Sequence, residues 1–130
     1  MIWKFLRRCG GDKAKASFLL ESLEAGENFG RYSINGVDPS ETIVLTAREC
    51  RHTIDRTTQS YAAKELGRLI RSRLPGTHSV DSDGAFGLTG GWVGYLGYDC
   101  VRLFERLPAR TSDTIGYPWA MLGLYKRVVV

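Results

Sequence analysis

The chain is poor in the residue types that most often carry chemistry. Among 130 residues there are two histidines, His52 and His78, and three cysteines, Cys9, Cys50 and Cys100. The cysteines are far apart and odd in number, so neither a disulfide framework nor a CxxC metal site fits them. Cys50 and His52 could offer two ligands to a metal, but no third and fourth follow at zinc-like spacing. Two side chains on one face of a strand is the better reading. The sequence has no G-x-S-x-G elbow, no HExxH and no Gly-Lys-Ser/Thr phosphate loop. No run approaches the roughly 18 apolar residues of a membrane span. Residues 1–8 place their positive charge after a very short apolar stretch, the reverse of a secretory signal. These absences predict a cytoplasmic chain with no membrane contact, no metal site and no self-sufficient active site.

What is present suffices for a folded domain. Apolar residues make up 43% of the chain, an ordinary globular fraction, and the length suits one domain. The net charge is +4, and residues 48–73 account for all of it, with seven basic and three acidic side chains. Part of that window has helical period, and Tyr61 is its one aromatic residue. A solvated helix face therefore explains the charge better than a nucleic-acid footprint, and no nucleic-acid partner is expected.

Residues 17–22 are a short apolar run that predicts a buried strand. Residues 30–36 predict a second strand, and Asp38, Pro39 and Ser40 a turn. The β-branched residues of 41–47 predict a third strand, and 51–55 a fourth, short and exposed. Ala62, Leu66, Leu69, Ile70 and Leu74 recur at helical spacing, which predicts a helix from Ser60 as N-cap to Leu74, stopped by Pro75 and Gly76. A second helix is expected from Asp99 as cap to Leu107, before Pro108. Residues 76–84 and 109–118 read as loops and 119–130 as a last strand. The expected fold class is α+β, an antiparallel sheet with two helices.

Residues 84–97 set Phe86, Trp92 and Tyr95 among six glycines. Their spacing does not give GxGxxG. A bent, buried strand with aromatics covering the glycine gaps is the reading preferred to a phosphate loop. The sequence closes on Val128, Val129 and Val130 with no polar cap behind them. That predicts an unprotected strand edge, and assembly into homo-oligomers through exposed strands.

Two long motifs resemble one family. Phe18, Leu19, Leu20, Glu21 and Ser22, followed by Glu24, Gly26, Gly30 to Ser33, Gly36 and Pro39, resemble the N-terminal region of anthranilate synthase component I. Gly90 to Asp99, with Val101, Arg102 and Phe104 to Pro108, resembles that family's second N-terminal signature. The likeness runs over residues 5–130, and the intact Leu-Leu-Glu-Ser favours this family over the related aminodeoxychorismate synthase component I. The resemblance implies a lyase that converts chorismate and ammonia to anthranilate and pyruvate in tryptophan synthesis. It implies a glutamine amidotransferase partner and, for the full-length enzyme, Mg2+. It implies that residues 1–130 are one truncated domain lacking the C-terminal chorismate-binding domain, hence with no catalytic residue and no cofactor. It also implies that Ser22, Glu21 and Leu20, with Arg31 beside them, contribute half of an L-tryptophan feedback site. A stand-alone tryptophan- or partner-binding module and a fragment without function are the other readings left open.

Overall fold

The computed structural model describes residues 17–21, 33–74, 90–108 and 113–130. Among these residues there are seven strands: β1 (Ser17–Glu21), β2 (Ser33–Val37), β3 (Glu41–Leu45), β4 (Glu49–Ile54), β5 (Thr57–Ala62), β6 (Gly91–Leu96) and β7 (Ala120–Tyr125). Also among them is one α-helix, α1 (Leu66–Arg73), which follows a short 3-10 turn at Ala63–Glu65. Five strands make an antiparallel sheet in the order β5-β4-β3-β7-β6, and β1 and β2 form a separate antiparallel ribbon. The fold is α+β, as the sequence predicts.

Alternation along the strands decides what is buried. Ile43 and Leu45 of β3 stand opposite His52 and Cys50 of β4 and opposite Leu122 and Ala120 of β7. These side chains share one face, and Leu66 and Leu69 of α1 close over it to make the core with Cys100. Ile43, Leu45 and Cys50 are fully buried. Each large aliphatic so buried contributes about 1.5–3 kcal/mol relative to exposure. Trp92 of β6 packs against the same cluster, and its indole N–H donates to the Ile70 carbonyl at 3.3 Å.

The ribbon joins the sheet on the opposite face. Phe18 meets the ring of Tyr125 edge-on at 4.7 Å, and Tyr125 alternates away from Leu124 and the core. Such an edge-on pair is favourable beyond the area it buries. Gly36 makes the packing feasible, because a Cβ there would lie 2.5 Å from the Phe18 ring. Asn35 exchanges backbone hydrogen bonds with Val129, at 2.9 and 2.8 Å, so the last residues extend the ribbon's free edge.

Several expectations are corrected. Residues 17–21 form the predicted strand, but four of the five are exposed, because a two-stranded ribbon covers little of either face. β4 is not an exposed strand: Cys50 and His52 point into the core on its α1-facing side. Ser60 caps no helix. It lies inside β5, and only Leu66 and Leu69 of the predicted apolar stripe are buried. The second helix is a 3-10 segment, Tyr98–Leu103, entered from Gly97 with no side-chain cap from Asp99. The Asp99–Arg102 bond, Nε to Oδ1 at 2.8 Å, suits that geometry, since residues three apart eclipse in a 3-10 turn.

β6 is an edge strand among the described residues, not a buried one. Its glycines are not covered by aromatics. A Cβ at Gly94 would collide with the Met121 carbonyl oxygen, so backbone of the neighbouring strand takes that space. The last strand ends at Tyr125 and lies between β3 and β6, so it is not the expected edge. The predicted loop 76–84 lies outside the described residues.

Candidate functional site

The ribbon end carries two of the four side chains expected at an effector site. Leu20 pairs with Ile34, and Glu21 with Ser33, in the antiparallel register. Ser22 and Arg31 lie outside the described residues. Alternation puts Leu20 on the face it shares with Ile34 and Phe18, and Glu21 on the other face with Ser33. The Ser33 hydroxyl donates to Glu21 Oε1 at 3.4 Å in an exposed position. The two predicted residues are therefore neighbours in the chain but line different sides of the ribbon. Leu20 is half exposed and continues the apolar surface that Phe18 begins against Tyr125. Burial, with the charge of Asp38 adding to it, pushes the Tyr125 phenol above its ordinary value. The aromatic base of the ribbon is thus buried and neutral at neutral pH, while Leu20 and Glu21 toward its end are exposed.

A second constellation escaped the sequence reading. Glu41 starts β3 on the core side, and His52 of β4 is its diagonal neighbour across the pair Ile43–His52. His52 Nε2 lies 2.7 Å from Glu41 Oε2, with the two side chains only 3% and 8% exposed. Arg73, from the last turn of α1, brings its Nε to 3.3 Å from the same carboxylate oxygen. The Trp92 ring stands 6.3 Å from the imidazole. A carboxylate holding an imidazole is the arrangement that orients a general base. Here the pair is buried beneath α1, and its effect is on packing and register. The signal was available in the alternation of 41–45 and 49–54, which puts a charged residue on an inward position.

Among the described residues, Cys50 and Cys100 do not supply a nucleophile. Burial pushes the Cys50 thiol up. Cys100 is also raised, by burial first and by the nearby Asp99 charge, against a hydrogen bond from the Gly97 backbone that lowers it. Both thiols stay protonated at neutral pH and are poor nucleophiles. Among the described residues no group of three or more His, Cys, Asp or Glu side chains is placed to hold a metal ion. The described residues thus show no ligand set for the Mg2+ implied by the resemblance. A concavity of about 510 Å³ lies at the start of β7 beside Trp119, away from the ribbon end.

Comparison with known proteins gives one consistent result. No family model matches the chain. It is 34% identical over 128 residues to anthranilate synthase component 1 of Pseudomonas aeruginosa, covering 90% of this chain and 24% of the relative. It is 34% identical over 131 residues to the chloroplastic anthranilate synthase alpha subunit 1 of Arabidopsis thaliana, covering 92% and 22%. With component 1 of Acetivibrio thermocellus the identity is 30% over 115 residues, covering 82% and 22%. The chain therefore spans about a fifth to a quarter of the length of the curated relatives it matches. Among the described residues no helix is long and apolar enough to cross a membrane.

Proposed function

Because this chain belongs to the anthranilate synthase component I family, we propose that it is that enzyme's regulatory and scaffolding portion, contributing half of an L-tryptophan feedback site. The whole enzyme, in this reading, takes ammonia from a glutamine amidotransferase subunit, adds it to chorismate and releases pyruvate and anthranilate. The remaining three-quarters or so of the relatives' length would carry the chorismate chemistry and its Mg2+. The chain by itself would not form anthranilate, and its compartment in this reading is the cytoplasm.

The observation that carries the proposal is the match over about nine-tenths of the chain, which includes the open end of β1. The chemistry there suits an amino acid with an indole ring. The Leu20, Ile34 and Phe18 face is apolar and offers an indole a surface. Glu21 brings a negative charge to the strand end, where a ligand's ammonium group would be received. Ser22 would supply a hydroxyl, and Arg31 a positive charge for the ligand's carboxylate. A ligand seated round the strand end meets both faces of the ribbon, which reconciles the opposite orientations of Leu20 and Glu21. Small-molecule sites of this kind combine an apolar wall with a few placed polar groups.

Calorimetric titration of the 130-residue chain with L-tryptophan tests the reading. Saturable binding that is lost in Ser22→Phe, with an unchanged circular dichroism spectrum, is the expected result. No heat at millimolar ligand, or equal binding by the variant, contradicts it.

A further inference from the structure

At the other end of β7 from the ribbon, about 17 Å along the strand at strand rise, the chain forms a cleft of about 510 Å³. Four aromatic rings line it, those of Tyr95, Tyr98, Tyr117 and Trp119. Among the described residues of the lining, the ionisable side chains besides the tyrosines are Asp99 and Asp113. Its volume falls in the range typical of small-molecule sites.

The lining is also prepared for charge of one sign. Asp113 accepts hydrogen bonds from the backbone N–H groups of Ile115 and Gly116, at 3.0 and 2.8 Å, both on Oδ1. These bonds fix the carboxylate and hold its pKa below the ordinary value, so it is ionised at neutral pH. The Tyr95 hydroxyl donates to the Pro118 carbonyl at 3.0 Å, which fixes its ring against the turn leading into Trp119. Asp99 is the weaker anchor, because Arg102 already donates to its Oδ1 at 2.8 Å and turns its other end to the Leu107 carbonyl at 3.1 Å.

Aromatic faces attract cations through their quadrupole, and a carboxylate beside them adds direct attraction. An anion would be repelled by both aspartates, and an uncharged apolar molecule would gain nothing from Asp113. We propose that this cleft binds a small organic ammonium ion, with the tyrosine and tryptophan rings as its walls and Asp113 as its counter-charge. The site is separate from the ribbon end and does not depend on the tryptophan reading.

The test uses tetramethylammonium chloride as probe and neopentyl alcohol as a water-soluble uncharged counterpart of similar size, each titrated into the full chain by calorimetry. Tetramethylammonium is expected to bind saturably, and neopentyl alcohol at least about tenfold more weakly. Asp113→Asn and Tyr117→Ala should each weaken the cation by about tenfold. Both positions are exposed, so the fold should survive, and circular dichroism checks that it does. Equal binding of the two probes, absence of saturable cation binding, or binding untouched in both folded variants overturns the proposal. Ser22→Phe should leave tetramethylammonium binding unchanged, so this result and the tryptophan result fail independently.

Discussion

Glu41 and His52 show how one inward charge constrains its neighbours. A carboxylate and an imidazole, 8% and 3% exposed, are 2.7 Å apart under a helix. Removing His52 leaves the buried Glu41 carboxylate with only the partly exposed Arg73 beside it, and losing a buried hydrogen-bond partner costs about 1–3 kcal/mol. Arg73 reaches the same carboxylate from the surface, but its side chain is 44% exposed and screened by water. We expect His52→Ala to lower the unfolding free energy in urea by about 1–3 kcal/mol and Arg73→Ala by less than about 1 kcal/mol. Equal losses in the two variants would show that the buried pair carries no special weight.

Tyr125, Cys50 and Cys100 make a related prediction in pH. Their folded pKa values are raised from the ordinary 10.0 for the phenol and 9.0 for the thiols, chiefly by burial. The unfolded chain therefore loses these protons first. Stability from this source is fully present below pH 9, and falls as pH rises from about 9 toward the raised folded values. Urea midpoints measured between pH 8 and 11 should decline, and Tyr125→Phe, which keeps the ring against Phe18, should soften the decline above pH 10. A flat profile would contradict the burial of these groups.

At the scale of elements, the sequence is legible where hydrophobic pattern and turn chemistry agree, and misleading where they part. β3 is legible because Ile43, Val44 and Leu45 follow a turn at Pro39. β5 is not, because its hairpin has no glycine. Asp55 and Arg56 both take positive φ, 46° and 69°, in a two-residue turn where Asp-Gly is the usual signal. With that turn unread, Ser60 looks like a helix cap and the helix seems to start a turn early. The glycines of β6 misled for the opposite reason. They mark a close backbone approach at Gly94, which pattern alone does not distinguish from aromatic cover.

The same turn yields a test. Arg56→Gly should stabilise the chain by about 0.5–1 kcal/mol, since glycine adopts this φ without a Cβ penalty. A loss of stability would mean the Arg56 side chain contributes more than its backbone strain costs. The candidate effector site was legible only as a motif. Leu20 and Glu21 are found by likeness to a family and their opposite orientations follow from strand alternation, while their partners Ile34 and Ser33 follow from the register with β2, which no local pattern reveals.

For the whole molecule, the central fact is proportion. A five-stranded sheet, one helix over its core face and a ribbon on the other make up the described part of a chain that matches about nine-tenths of itself to relatives four to five times longer. Its surface bears Tyr98, Phe104, Ile115 and Tyr117, all at least 74% exposed. The purified chain, given chorismate, Mg2+ and ammonium salts, should yield no anthranilate fluorescence. Formation of anthranilate would place the chemistry in this chain and overturn its reading as a regulatory portion.

The most direct measurement is a titration of the isotope-labelled chain with L-tryptophan, followed by amide shifts in solution NMR. The account predicts saturable shifts confined to residues 18–22 and 31–35, with the Ala120 end of β7 and α1 unmoved. Shifts at the aromatic cleft alone, or no saturable shift anywhere, would contradict the assignment of the feedback site to the ribbon end.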